Sequence, residues 1–345
     1  MAHEIYIAAN GQASMAYVGK TPWHGLGQEL QAGLSIEQWC VAAGLDYTVE
    51  RAIVQYQNGE LRTFPGKDVL YRSDTSAPLG IVSDGYKIVQ PAEVLDFFRD
   101  LCADRGFTLE TAGALKGGAI YWALARTEHE STLGANDTSR GYVLLSTSAD
   151  GTRATDARFT AVRVVCNNTL SIALNGSVGA TKTRHSTMFN ARATKKSLGL
   201  IDFDKAWSDF SDSMRAMAQY PIADAEASAM FANLLRPAGM RPAPRLSIGA
   251  TSFDQLLNAN VGAAVEFAPI AKDRAIRGLG DLEHSYHYAP GAMPGTAYGV
   301  LQGVTHYIDH VRGTSNDKRL NSAWFGQGET IKREALERLT DLIHQ

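Results

Sequence analysis

Arg163 sits in the extended run ATDARFTAVRVV and alternates onto the same face as Phe159, Ala161 and Val165. A lone cation on an apolar strand face needs a partner or an open rim, so it faces a carboxylate of this chain or a phosphate of another molecule. The surrounding sequence favours the phosphate. Between residues 151 and 196 stand Arg153, Arg158, Arg163, Lys182, Arg184, Arg192, Lys195 and Lys196, opposed by the single acid Asp156. That is a surplus of seven, whereas the whole chain carries −3 and its remainder must sum to −10. Segregation of this kind suits a polyanion at one surface, with an acidic remainder repelling it elsewhere. The plain alternative is that these cations pair with acids from other parts of the chain. His185 lies within the same basic stretch, and Trp23, Tyr86 and Phe159 could stack bases if exposed. Cations that track phosphates, joined to aromatic faces, are what single-stranded nucleic acid requires.

Other constellations are weaker. Gly19-Lys20-Thr21 resembles the end of a phosphate loop, but Ser14 occupies the position of the first glycine. Gly326-Gln327-Gly328 is followed by Ile331 where a dinucleotide fingerprint needs its third glycine. His306 and His310 are one helical turn apart, with His284 and His287 upstream, yet no signature supplies the remaining ligands of a metal. Cys166 would need a base such as His185 or His24 to be a nucleophile, and a buried cysteine at a strand end is the simpler reading. Asp84 and Glu93 are isolated acids near a turn and a helix start, where acids are locally favourable. These residues predict no metal, no cofactor and no catalytic set.

The elements that must position the cations follow from local signals. Ser35 with Gln38 has capping-box spacing and opens a helix that stops at Gly44. YTVERAIVQYQ and LRTFPGKDVLYRS flank Asn58-Gly59, a strong hairpin signal, and PLGIVSDGYKIVQ completes a meander. Pro91 opens a second helix that Gly106 closes. Strands return through Lys116-Gly117-Gly118 and Asp150-Gly151. Asn168 and Thr169 are expected to cap a short helix over TLSIAL. Beyond residue 200 the period is helical: Trp207, Phe210, Met214 and Met217, then Leu301, Val304, Ile308 and Val311, then Leu336, Leu339 and Ile343.

The expected fold class is therefore α+β, an antiparallel sheet domain with packed helices followed by a mainly helical C-terminal region. Residues 1–34 read as an irregular segment, 35–200 as the α+β domain, and 201–345 as the helical region with a Pro/Arg-rich loop at 236–250. A chain of 345 residues with 45% apolar and 20% charged residues has an ordinary globular composition. Three scattered cysteines offer no disulfide framework, and no apolar run is long enough to span a bilayer. The expectation is a cytoplasmic protein with no membrane partner.

MAYVGKTPWHGLG, SDGYKIVQP, FTAVRVVCNNTL, RHS and LNSAWFG, spread over nearly the whole chain, resemble the phage/plasmid-like protein family, a domain of unknown function. The strand and helix order resembles, more loosely, the single-strand annealing proteins of phage recombination. Joined to the charge map above, that resemblance implies a homo-oligomer that holds single-stranded DNA on Arg153, Arg158, Arg163, Lys182, Arg184, His185, Arg192, Lys195, Lys196 and Trp23 and promotes annealing without bond chemistry. A nuclease or nucleotide-modifying enzyme of a mobile element, or a protein that binds a host factor, is the alternative.

Overall fold

The computed structural model describes residues 5–8, 11–19, 26–134, 137–163, 168–171, 173–174, 177–178, 180–186, 202–235, 269–313 and 322–344. Trp23, His24, Cys166, Arg192, Lys195, Lys196 and the 236–250 loop lie outside these residues.

A long antiparallel ladder forms the centre: β6 (Thr108–Leu115), β7 (Ile120–Leu133), β8 (Asp137–Ser148) and β9 (Thr155–Arg163). β1 (Met15–Val18) joins β6, and β2 (Gln28–Leu30) lies parallel to β1 at that edge. Both are too short to show alternation in sequence, which is why residues 1–34 read as irregular. At the other edge β10 (Asn168–Ser171) and β13 (Ala180–Thr183) each pair with β9, and β11 (Ala173–Leu174) pairs with β12 (Ser177–Val178). The expected TLSIAL helix is thus corrected. Asn168 folds back opposite Arg163 as strand, because ladder bonds to β9 outcompete a cap of one turn.

Tyr121, Ala123, Val143, Leu145, Ala157 and Phe159 line one face of the sheet. Against it pack α1 (Ile36–Ala42), α2 (Pro91–Arg105) and α3 (Phe203–Gln219). The helices begin and end as their sequences dictate. Ser35 Oγ accepts from Gln38 N–H while Gln38 Oε1 accepts from Ser35 N–H, and Glu93 caps the start of α2 by accepting from Gln90 N–H at 2.6 Å. Gly106 ends α2 in the left-handed region at φ 68°. Trp207, Phe210, Met214 and Met217 are all buried. α4 (Asp224–Leu234), α5 (Pro269–Tyr288) and α6 (Ala297–His306) extend this layer, α6 running into a π-helical turn at Tyr307–Val311. α7 (Gln327–Ile343) follows a short helical turn at 322–325. On the opposite face, Trp122, Leu124, Tyr142 and Leu144 form a smaller cluster covered by Trp324 and Phe325.

A separate three-stranded sheet, β3 (Val49–Asn58), β4 (Glu60–Arg72) and β5 (Pro78–Ser83), projects from this body. The β3–β4 hairpin turns at Asn58-Gly59, with Gly59 at φ 73° as such a turn requires. Among the described residues no helix is long and apolar enough to cross a membrane.

Candidate nucleic-acid interface

β9 presents its arginines to both faces of the sheet, and each finds partners inside the chain. Arg163 lies opposite Ser139 on β8, so Asp137, two residues along, meets it diagonally. Its Nε and Nη2 donate to the two Asp137 oxygens at 2.5 Å, and its guanidinium also reaches the carbonyls of Pro290 and Gly291 at 3.2 and 2.7 Å. Tyr298 Oη donates to the same carboxylate at 2.8 Å. The anion opposite Arg163 is therefore a carboxylate of this chain.

Arg158 points to the other face. It pairs with Asp156, lies 3.7 Å from Glu329 and donates to the Trp324 carbonyl at 3.4 Å. Arg153 donates to the Phe325 carbonyl at 3.0 Å and stacks over the Phe325 ring, centroid 4.3 Å away. Burial, and then the neighbouring Arg158, pull the Arg153 pKa down to about 10. The expectation that these three line an open groove is corrected. Arg158 and Arg163 are buried, Arg153 is half-buried, and all three tie β9 to the C-terminal segment.

The end of the basic stretch is arranged differently. His185 is buried, its ring stacked on Tyr86 with centroids 4.3 Å apart and planes 12° apart. Its Nδ1 lies 2.7 Å from the Lys87 carbonyl and Nε2 lies 3.3 Å from Thr147 Oγ1, which assigns the ring proton to Nδ1. Burial lowers its pKa, so it is a neutral clamp and not a cation for phosphates. The clamp is closed by Lys87 N–H donating to the His185 carbonyl at 2.6 Å, and by Tyr86 Oη donating to the Ser148 carbonyl at 2.8 Å. Arg184 and Lys87 are both exposed beside this junction. Lys182 stands opposite Asp156 in the β9–β13 ladder. Arg51 of β3 completes the group, donating to Asp68 at 3.0 Å and to the carbonyls of Asp84 and Tyr86 at 2.9 and 2.7 Å.

The β3–β4–β5 sheet rises from that junction. Its body-facing side chains are buried at the base, where Val49, Leu70, Arg72 and Val82 pack inward. Gly80 sits so close to Asp150 that a Cβ there would lie 2.6 Å from the Asp150 Cα. Farther out on the same face Ile53 is 59% exposed, so the hairpin has left the body and overhangs it. Leu61, beyond it on the hairpin, is 66% exposed. Sequence reasoning missed this arm as a functional element, together with Lys87 and Arg51. The available signal was the Asn58-Gly59 turn between two extended runs longer than an ordinary strand pair needs.

The remaining candidates resolve into structural roles. His306 and His310 have ring centroids 5.0 Å apart, but among the described residues no group of three or more His, Cys, Asp or Glu is placed to hold a metal. Cys40 and Cys102 are half-buried free thiols, and burial pushes Cys40 up to about 11, far from a reactive thiolate. A narrow cleft between the outer sheet face and α7 is lined by Leu124, Leu144, Arg158, Trp324, Glu329 and Lys332. Its cations are already opposed, Arg158 by Asp156, Lys332 by Asp309 and the third lining cation, Arg333, by Glu337 at 3.9 Å.

No curated protein matches the chain, and no solved structure does. The family profile described as Domain of unknown function (DUF932) matches residues 78–324, running from β5 across the central ladder and the helical layer to Trp324. The chain belongs to that family.

Proposed function

We propose that the protein binds single-stranded nucleic acid on the surface beneath the β3–β4 arm, and promotes annealing of strands as an oligomer. In this reading it serves a phage or plasmid. The observation that carries the proposal is the 2.6 Å bond from Lys87 N–H to the His185 carbonyl, which fixes two exposed cations, Lys87 and Arg184, side by side below the overhang. Arg51 stands at the root of the arm, and the arm's body-facing side holds Ile53 out over solvent. Phosphates would lie along the cations and bases would turn toward Ile53 on the underside of the arm. The acids Asp84 and Asp150 and the Asp68 partner of Arg51 equal the three cations in number, so binding is weak per site and gains strength from repetition in an oligomer. The β9 arginines act only as framework.

Fluorescence anisotropy of a labelled single-stranded oligonucleotide over a salt series tests this. Lys87→Ala with Arg184→Ala should weaken binding at low salt and flatten the log K against log salt slope by about one to one and a half units, since single strands give roughly 0.7 per neutralised phosphate. Absence of salt-dependent binding in the unmodified protein rejects the reading. So does a double variant whose slope is unchanged.

A further inference from the structure

His185 occupies a place that can take a proton without losing a hydrogen bond. Its Nδ1–H donates to the Lys87 carbonyl, and its Nε2 faces Thr147 Oγ1, which lies 2.8 Å from Thr155 Oγ1. With the ring neutral, the Thr147 hydroxyl donates to Nε2. With the ring charged, Nε2–H donates to Thr147 Oγ1, and that hydroxyl turns its own proton to Thr155 Oγ1. Both threonines are buried, so a rotating hydroxyl relay serves both states of the ring.

The groups around the ring set where it titrates. Burial is the largest influence and holds its pKa below the usual 6.5, while the carbonyls of Lys87 and Arg153 and the Asp150 carboxylate pull it back up. Tyr86 stacks on the ring with its hydroxyl given to the Ser148 carbonyl, and Arg51, paired with Asp68, reaches the Tyr86 carbonyl from β3. Lys87, Arg184 and Asp84 are exposed at the same junction.

We infer that His185 is the proton-linked element of this junction: in acid its charged ring joins Lys87 and Arg184, and the surface then holds phosphate groups more tightly. The inference rests on the reading of the surface as a phosphate site and adds its regulation. His185 acts through the field it adds, since the ring itself stays buried under Tyr86. Linkage makes the effect reciprocal, so a bound anion strengthens the ring's hold on its proton by the same factor. A unit charge roughly 8 Å from a phosphate, at an effective dielectric of about 40–80, changes affinity about two- to sixfold.

An NMR titration of labelled histidine in the full chain tests this, with the His185 signal identified by its contacts with the Tyr86 ring. The probes are inorganic trimetaphosphate, whose charge is constant across the range, and a single-stranded oligonucleotide. The free ring should titrate below pH 6.5. Saturating trimetaphosphate should raise the midpoint by about 0.3–0.8. Between about pH 7.5 and 5.5, trimetaphosphate affinity should rise more steeply in the unmodified chain than in His185→Asn, which retains a donor for the Lys87 carbonyl but cannot charge. A midpoint that neither anion moves overturns the inference, as does a pH profile of affinity that His185→Asn leaves unchanged. If trimetaphosphate moves the midpoint and the oligonucleotide does not bind, the nucleic-acid reading falls and the proton-linked anion site stands.

Discussion

Arg163 and Asp137 form a two-pronged ion pair on the helix-covered face of the sheet, and Tyr298 of α6 donates to the same carboxylate. The pair joins two strands to the helical layer at the rim where the apolar row of β9 ends. Arg163→Met would leave the half-buried Asp137 carboxylate without its cation, a loss of up to about 3 kcal/mol, the low end of the range for buried pairs. Urea unfolding measures it. A variant as stable as the parent would mean that the carboxylate is already compensated by Tyr298 and its surroundings.

How far the fold can be read from the chain depends on how local each signal is. Ser35 with Gln38, Asn58-Gly59, Pro91 and Gly106 each act within a few residues, and each element starts or stops where they place it. The partner of Arg163 could not be found in this way, because Asp137 lies 26 residues earlier and meets it only through the β8–β9 register. The same holds for Asn168 to Ser171, whose polar start resembles a cap until β9 offers a ladder. The basic surplus between residues 151 and 196 is plain in sequence. The neutralisation of Arg163 by Asp137 and of Arg158 by Glu329 is not, since both acids lie outside that window. Of the expected binding set, Arg184 is exposed and His185 is buried as a clamp.

Gly80 offers a test of how the arm is seated. Adding a Cβ would place it 2.6 Å from the Asp150 Cα and 3.1 Å from its carbonyl carbon, and backbone has no rotamer with which to retreat. Gly80→Ala should cost about 1–3 kcal/mol and loosen β5 from the 148–152 turn. Gly85→Ala, with nothing within 4 Å, is the matched control and should be nearly silent. Limited proteolysis of the arm should accelerate in the first variant only; equal rates in the two would refute the seating argument.

His306 gives the protein a predictable response to acid. Burial, then His310, lower its pKa to about 4; Asp309 opposes the shift, and Arg163 and His284 add smaller repulsions. The unfolded chain therefore binds its proton near pH 6.5 while the folded chain resists until about 4. Stability contributed by the neutral ring is complete above pH 6.5 and falls as the pH drops toward 4. Partial exposure reduces the effect to about 1–2 kcal/mol. His306→Gln should flatten the pH profile of unfolding free energy between 7 and 4 by that amount, on top of a shallower loss of the same sign from His185. Superimposable profiles would show that His306 titrates alike in both states.

Lys332 and Asp309 pose the sharpest energetic question in the helical layer. The ammonium donates to the carboxylate at 2.7 Å, and both residues are buried, one on α7 and the other in the π-helical turn after α6. Removing either charge alone strands the other in a poorly solvated site, so Lys332→Met and Asp309→Leu should each destabilise by about 3–5 kcal/mol. If desolvation of the two charges offsets their attraction, the double replacement should return most of that loss. The cycle would then give a coupling energy of several kcal/mol. Additive losses would instead show that the π turn depends on Asp309 independently of Lys332. Urea unfolding of the four proteins at one pH separates the two outcomes.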